Sequence, residues 1–76
     1  MKADATLGCV GLYCPMPIHQ TAQKMKELKT GQVLKVLASD EGIKGDAPAW
    51  CKATGNEFVG MEEQGGEIKV YIKKTK

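Results

Sequence analysis

The glycine pair Gly65-Gly66 separates two segments with the residue spacing of β-strands. Two glycines between such segments favour the tight turn of a β-hairpin. We therefore predict antiparallel strands over residues 57–63 and 67–73. The alternation in the last strand predicts one buried and one solvent-facing side. The residues expected to be buried are Ile68, Val70 and Ile72, and those expected to face solvent are Lys69, Tyr71 and Lys73.

Upstream of the hairpin, strand-like and helix-like segments alternate. A short strand is predicted over residues 6–10. A helix is predicted over residues 17–29, because apolar residues recur there every three or four positions, and Gly31 is expected to end it. Residues 32–38 are rich in Val and Leu and predict a second strand, which runs into the polar loop of residues 39–42.

A second helix is predicted between Asp46 and Gly55. Asp46 is a suitable N-cap, Pro48 is tolerated in a first turn, and glycine often ends a helix. Helical spacing then brings Trp50 and Cys51 to the side that faces the sheet. We therefore expect Cys51 to be a core residue, since free cysteine is among the most buried residue types.

The predicted element order is βαβαββ. A strand–helix–strand unit requires a right-handed crossover and parallel pairing, whereas the final hairpin is antiparallel. A chain of 76 residues is expected to form one domain, over residues 1–76. We expect an α/β fold of the α+β two-layer type, with two helices on one face of a mixed four-stranded sheet.

Cys14 lies between the first strand and the first helix, and Pro15, Met16 and Pro17 follow it. Proline suits the opening positions of a helix, so Cys14 or Met16 is expected to be the N-cap. The positive end of the helix dipole favours a thiolate, which is the nucleophilic form of cysteine. Because Pro15 and Pro17 lack N–H donors, we expect the pKa of Cys14 to fall only moderately below about 8.5.

Metal and cofactor sites find little support in the sequence. Cys9 and Cys14 lie close together, but Cys51 is distant and the only histidine, His19, completes no ligand pattern. His19 lies five residues after Cys14, about 140° around a helix, which is unsuitable for a Cys/His dyad. We therefore predict no metal and no cofactor, and an exposed position for His19.

The amino-acid composition argues against several classes of binding partner. The net charge of +2 comes from lysine, with no arginine to contact phosphates or bases in a bidentate manner. One Trp, two Tyr and one Phe are too few for a base-stacking platform. We expect neither a leader peptide nor a membrane-spanning segment, because the sequence has no apolar run of the kind that either requires. Three cysteines, an odd number, suit a reducing compartment. We expect a cytoplasmic protein that binds neither membranes nor nucleic acid directly.

Several blocks of sequence together resemble the TusA/SirA-like sulfurtransferase family, whose motif is CPxP. The blocks are Gly11-Leu12-Tyr13-Cys14-Pro15-Met16-Pro17, Gly31-Gln32-Val33-Leu34-Lys35-Val36, Asp46-Ala47-Pro48-Ala49-Trp50-Cys51-Lys52 and Gly55-Asn56-Glu57. The resemblance covers residues 6–73 and implies the βαβαββ fold. It also implies a sulfur carrier or sulfurtransferase that relays sulfane sulfur as a persulfide.

By similarity, Cys14 is the persulfide-forming nucleophile, and Gly11, Pro15, Met16 and Pro17 are its supporting motif. The implied donor is a cysteine desulfurase or another sulfurtransferase, and the implied acceptor is a DsrE-like or other protein. Members that serve tRNA thiolation carry an acidic residue between the two prolines, where this chain has Met16. The resemblance therefore leaves the pathway open among tRNA thiolation, molybdenum cofactor assembly, sulfur oxidation and regulation.

Two other functions are compatible with the residues. A thiol-redox protein would use Cys9 as a resolving thiol for Cys14, which requires their Cα atoms to come within about 7 Å. Alternatively, Cys9 is a small strand residue that faces the sheet. A regulatory interaction module would need no chemistry at Cys14 at all.

Overall fold

The computed structural model describes residues 3–11 and 16–75. Its elements are β1 (Ala5–Cys9), α1 (Met16–Met25), β2 (Val33–Ala38), α2 (Ile43–Thr54), β3 (Glu57–Gln64) and β4 (Glu67–Lys73). The strands form one sheet in the order β1-β2-β4-β3. β1 is parallel to β2, and the β2–β4 and β3–β4 pairs are antiparallel. The predicted βαβαββ fold with a mixed four-stranded sheet is confirmed.

The hydrophobic core lies between the two helices and one face of the sheet. On β2, Leu34, Val36 and Ala38 are completely buried, because they project toward the helices from an interior strand. Burial of a large apolar side chain contributes about 1.5–3 kcal/mol relative to exposure. The remaining apolar core residues are Cys9 of β1, Met25 of α1, Ile43, Ala47 and Cys51 of α2, and Ile68, Val70 and Ile72 of β4.

The first helix ends earlier than the sequence predicts. α1 stops at Met25, and the three following residues continue as tight turns in which each N–H donates to the carbonyl three residues back. The ammonium of Lys74, just beyond β4, donates to the carbonyl oxygens of Met25 at 2.8 Å and Leu28 at 2.7 Å. A side chain distant in sequence thus satisfies carbonyls that a helix end leaves without partners.

The prediction that Asp46 caps the second helix is wrong. α2 begins at Ile43, so Asp46 lies in its first turn and Pro48 lies inside the helix. The helix starts early because a preceding turn prepares it: the Gly42 N–H donates to Asp40 Oδ1 at 3.2 Å, and the Ile43 N–H donates to the Asp40 carbonyl. These bonds engage the first amides of α2 without a side-chain cap at Gly42.

The predicted end of α2 is confirmed. Gly55 has a φ of +82°, and its N–H donates to the Cys51 carbonyl at 2.9 Å. Only glycine adopts this left-handed conformation without strain. Cys51 faces the core, as predicted, and Trp50 is half-buried against it.

The hairpin is confirmed, but its outer face differs from the prediction at one residue. Gly65 and Gly66 both have positive φ, as a type I′ turn requires. Tyr71 was expected to face solvent and is only 3% exposed. Because β4 is an interior strand, Tyr71 is flanked by Lys35 on one side and Gly60 on the other. Burial raises the pKa of Tyr71, and a hydrogen bond to the Glu62 carboxylate raises it further.

Candidate functional site

Cys14, the predicted nucleophile, and Pro15 lie outside the described residues, as do the side chains of Met16 and Pro17. The structure describes both flanks of this segment. Gly11 is the last described residue before it, and α1 begins directly after it at Met16. Met16 is therefore the first helical residue of α1 rather than its cap. The role of Cys14 stays a prediction.

The topology places both flanks at one edge of the sheet. β1 and β2 run parallel and end side by side, with Cys9 paired to Ala38. Each strand leads into a helix, so the amino ends of α1 and α2 follow from this same edge. We call it the carboxyl edge, and define it by Gly11, Ser39, Asp40 and the amino ends of the two helices. Loops and helix N-termini at such an edge form binding and catalytic sites in many α/β proteins.

One hydrogen bond ties the two strand ends together at the carboxyl edge. The Gly11 N–H donates to Ser39 Oγ at 2.9 Å. Gly11 has a φ of +91°, and a Cβ added there would meet no atom within 4 Å. The requirement for glycine is thus conformational and not steric. Sequence reasoning placed Ser39 only in a polar loop, because nothing in the local pattern marks its long-range partner.

The second thiol named by the sequence, Cys9, has no exposed surface. It is paired with Ala38 and belongs to the apolar core between the sheet and the helices. Burial raises the pKa of its thiol above the usual 9.0, because the thiolate would be poorly solvated. Cys9 therefore occupies the position of a small core residue of the strand.

Cys51 lies on α2, on the opposite side of the core from β2, and is 2% exposed. Burial raises its pKa to about 11, so the thiol is protonated at neutral pH. Cys9 and Cys51 are both free thiols. Neither meets the usual requirements of a reactive cysteine, which are partial exposure and an environment that favours the thiolate.

An open groove of about 290 Å³ lies at the other end of the helix pair. Ala22 and Met25 of α1 line it together with Trp50 and Thr54 of α2, and Lys74 also lines it. The four helical residues belong to the last turns of α1 and α2, whereas the carboxyl edge lies at the first turns of these helices. The groove is therefore separate from the carboxyl edge.

Residues 3–11 and 16–75 contain no group of three or more His, Cys, Asp or Glu side chains that could hold a metal ion. His19 is exposed on α1, as predicted. Of the helices described, neither has the length and apolar character needed to cross a bilayer.

The comparisons with known proteins agree on one family. The family model for sulfurtransferase TusA matches residues 5–74. The putative sulfur carrier protein YrkI of Bacillus subtilis is 43% identical over 74 residues, which cover 97% of this chain and 99% of YrkI. Sulfur carrier protein TusA of Pseudomonas entomophila is 39% identical over 71 residues, which cover 93% of this chain and 89% of TusA.

Some of the relatives are much longer than this chain. The putative sulfur carrier protein YrkF of B. subtilis is 45% identical over 74 residues, or 97% of this chain, but the match spans only 40% of YrkF. Among solved structures, the SirA-like protein of Desulfitobacterium hafniense has the same fold, with a TM-score of 0.81 at 23% identity and coverage of 95% and 99% of the two chains. The family model and the full-length relatives agree, and the chain belongs to the TusA sulfurtransferase family.

Proposed function

We propose that this sulfur carrier accepts sulfane sulfur as a persulfide on Cys14 and relays it to a protein acceptor. The observation that carries the proposal is the burial of the two other thiols. Cys9 and Cys51 are at most 2% exposed, and burial raises the pKa of both. Among the three cysteines of the sequence, Cys14 is therefore the candidate for a partner's sulfur.

The chemistry needs one thiolate. Cys14 attacks the outer sulfur of a persulfide on the donor, the donor's S–S bond breaks, and the donor cysteine leaves as a thiolate. Cys14 then carries the outer sulfur in a new S–S bond. An acceptor thiolate repeats the same step and releases Cys14 as a thiolate. Each transfer exchanges one S–S bond for another, so no external oxidant or reductant is consumed.

The proposed donor is a cysteine desulfurase or another sulfurtransferase, and the proposed acceptor is a DsrE-like or other sulfur-accepting protein. Family membership supports donor and acceptor proteins as a class, because a carrier must be loaded and unloaded. We place the relay in the reducing cytoplasm, and the free thiols of Cys9 and Cys51 support that placement. Burial of Cys9 counts against a Cys9/Cys14 redox cycle, since a resolving thiol must reach its partner.

The proposal is tested by incubating the protein with a cysteine desulfurase and cysteine, then measuring intact mass before and after reduction. Wild type, Cys9→Ser and Cys51→Ser are expected to gain one reducible sulfur, and Cys14→Ser is expected to gain none. Sulfur retained by Cys14→Ser, or lost only in Cys9→Ser, would contradict the proposal.

A further inference from the structure

The groove between the last turns of α1 and α2 is a concave surface apart from the carboxyl edge. Its volume is about 290 Å³, and it is open to solvent. Pockets that enclose a small-molecule ligand are usually larger, at about 300–1,000 Å³, and bury most of the ligand surface. An open groove of this size instead suits one large side chain of a longer segment, whose other residues lie on the surface around it. The dimensions therefore favour a segment of a protein over a free small molecule.

The walls of the groove are apolar. Met25 lies at its base, since this side chain lines the groove and is only 4% exposed. Trp50 is half-buried and contributes the indole ring. Ala22 lies three residues before Met25, on the same face of α1, and its methyl group leaves the space that a longer side chain would fill. Methionine and tryptophan side chains give such a surface a strong affinity for an apolar or aromatic group.

The rim of the groove carries positive charge without acidic partners. Lys26 is exposed, and its ammonium forms no ion pair with the described part of the chain. Lys74 donates two of its three N–H groups to the carbonyls of Met25 and Leu28, which leaves one N–H. Of the described residues that line the groove, none is acidic. The groove thus combines an apolar surface with unbalanced positive charge.

The neutral polar side chains of the groove have their acceptors engaged. Thr54 Oγ1 donates to the Trp50 carbonyl at 2.8 Å and accepts from Asn56 Nδ2 at 3.0 Å. Asn56 Oδ1 in turn accepts from the Thr75 N–H at 3.3 Å. The second N–H of the Asn56 amide and the third N–H of Lys74 are left over. Because a carboxylate accepts hydrogen bonds and donates none, it complements these groups in both charge and hydrogen bonding.

We propose that this groove docks an acidic segment of a partner protein. The segment inserts one large apolar side chain between the helices and places carboxylates beside Lys26 and Lys74. The apolar anchor supplies most of the affinity, and the charges orient the segment and speed its association. Docking here and a reaction at the carboxyl edge use different surfaces of the protein. The inference goes beyond the proposed function and requires no chemistry at Cys14.

The test uses the fluorescence of Trp50, which is the only tryptophan of the sequence and lines the groove. The probe is a nine-residue peptide with leucine at its centre and glutamate at every other position. One matched peptide replaces the leucine by serine, and a second replaces the glutamates by glutamine. We expect the leucine–glutamate peptide to produce a saturable change with a millimolar Kd, which weakens as salt is added. Both matched peptides should bind at least about threefold more weakly.

Variants of the protein test the same two features. Lys26→Glu should weaken binding of the leucine–glutamate peptide about threefold or more, because attraction becomes repulsion. Lys52→Glu is the matched control, since Lys52 is exposed and lies about 200° around α2 from Trp50. Ala22→Leu should abolish binding by filling the groove, whereas Ala49→Leu should not, because Ala49 is exposed on α2 outside the lining. Circular dichroism checks that each variant is folded, and the substitution at the exposed Lys26 keeps the test decisive if Ala22→Leu is not.

Several outcomes would overturn the inference. These are no saturable change with the leucine–glutamate peptide, equal binding of the glutamine peptide, or equal weakening by Lys26→Glu and Lys52→Glu. Saturation by sodium octanoate but not by the peptide would assign the groove to small carboxylates instead. A dimer of the protein in sedimentation that Ala22→Leu dissociates would assign the groove to a second copy of the chain. Since the assay contains no sulfur donor, its result is independent of whether Cys14 accepts sulfur.

Discussion

The ammonium of Lys74 donates a hydrogen bond to the carbonyl oxygen of Met25, at 2.8 Å, and thereby ties the end of the chain to the end of the first helix. A second bond, at 2.7 Å, runs to Leu28. The carbonyls at a helix C-terminus carry partial negative charge and lack intrahelical donors. A partly buried cation at this position completes α1 without a local capping motif.

Replacement Lys74→Met is expected to lower the free energy of unfolding by about 1–3 kcal/mol, because two carbonyls lose a charged donor while the apolar stem is kept. Urea denaturation measures the change. Lys52→Met is the matched control, since Lys52 is exposed on α2 and should change stability little. Equal stability of the two variants would contradict the capping role of Lys74.

Local signals in the sequence were sufficient to predict the element order and the hairpin. The predictions made from Gly55 and from the Gly65-Gly66 pair are reliable, because the positive φ at these positions favours glycine. Strand alternation identified the buried residues of β4 for a similar reason, since side chains one residue apart point to opposite faces.

The sequence predictions that were wrong or incomplete have a different origin. In each case the observed structure depends on a contact between distant parts of the chain or on a competing turn. Asp46 has the chemistry of a cap, but the Asp40 turn starts α2 earlier. Tyr71 alternates like an exposed residue, but neighbouring strands cover it from both sides. At the carboxyl edge, Ser39 gave no local signal, since its partner Gly11 lies 28 positions away.

Because Cys9 and Cys51 are buried, we can predict how many thiols react in the folded protein. At neutral pH, a thiol-reactive dye such as DTNB is expected to label one cysteine rapidly in the folded chain and all three in urea. Peptide mapping should assign the rapid site to Cys14, and Cys14→Ser should lose it. Rapid labelling of Cys9 in the native protein would revive the Cys9/Cys14 redox alternative.

The raised pKa of Cys51 also predicts how the free energy of unfolding depends on pH. Its pKa of about 11 in the folded protein lies above the usual 9.0, so the folded state keeps a proton that the unfolded chain releases. The free energy of unfolding should therefore fall as pH rises from 9 toward 11. In Cys51→Ala that fall should be smaller, although the variant is less stable at neutral pH because it leaves a cavity. If urea denaturation shows that the free energy of unfolding depends on pH in the same way in both proteins, this linkage is refuted.

Alanine substitutions at Gly11 and Gly8 form a matched pair, which separates the conformational cost of positive φ from the general effect of adding a Cβ. A Cβ at either position would meet no atom within 4 Å, but only Gly11 has positive φ, at +91°. Gly11→Ala should therefore lower the free energy of unfolding by about 1 kcal/mol, the cost of a left-handed conformation for an L-residue. Gly8→Ala, in β1, should be neutral or slightly stabilising, because alanine loses less backbone entropy. Urea denaturation measures both. If the two variants are equally stable, the positive φ of Gly11 is not what requires glycine at the start of the Cys14 segment.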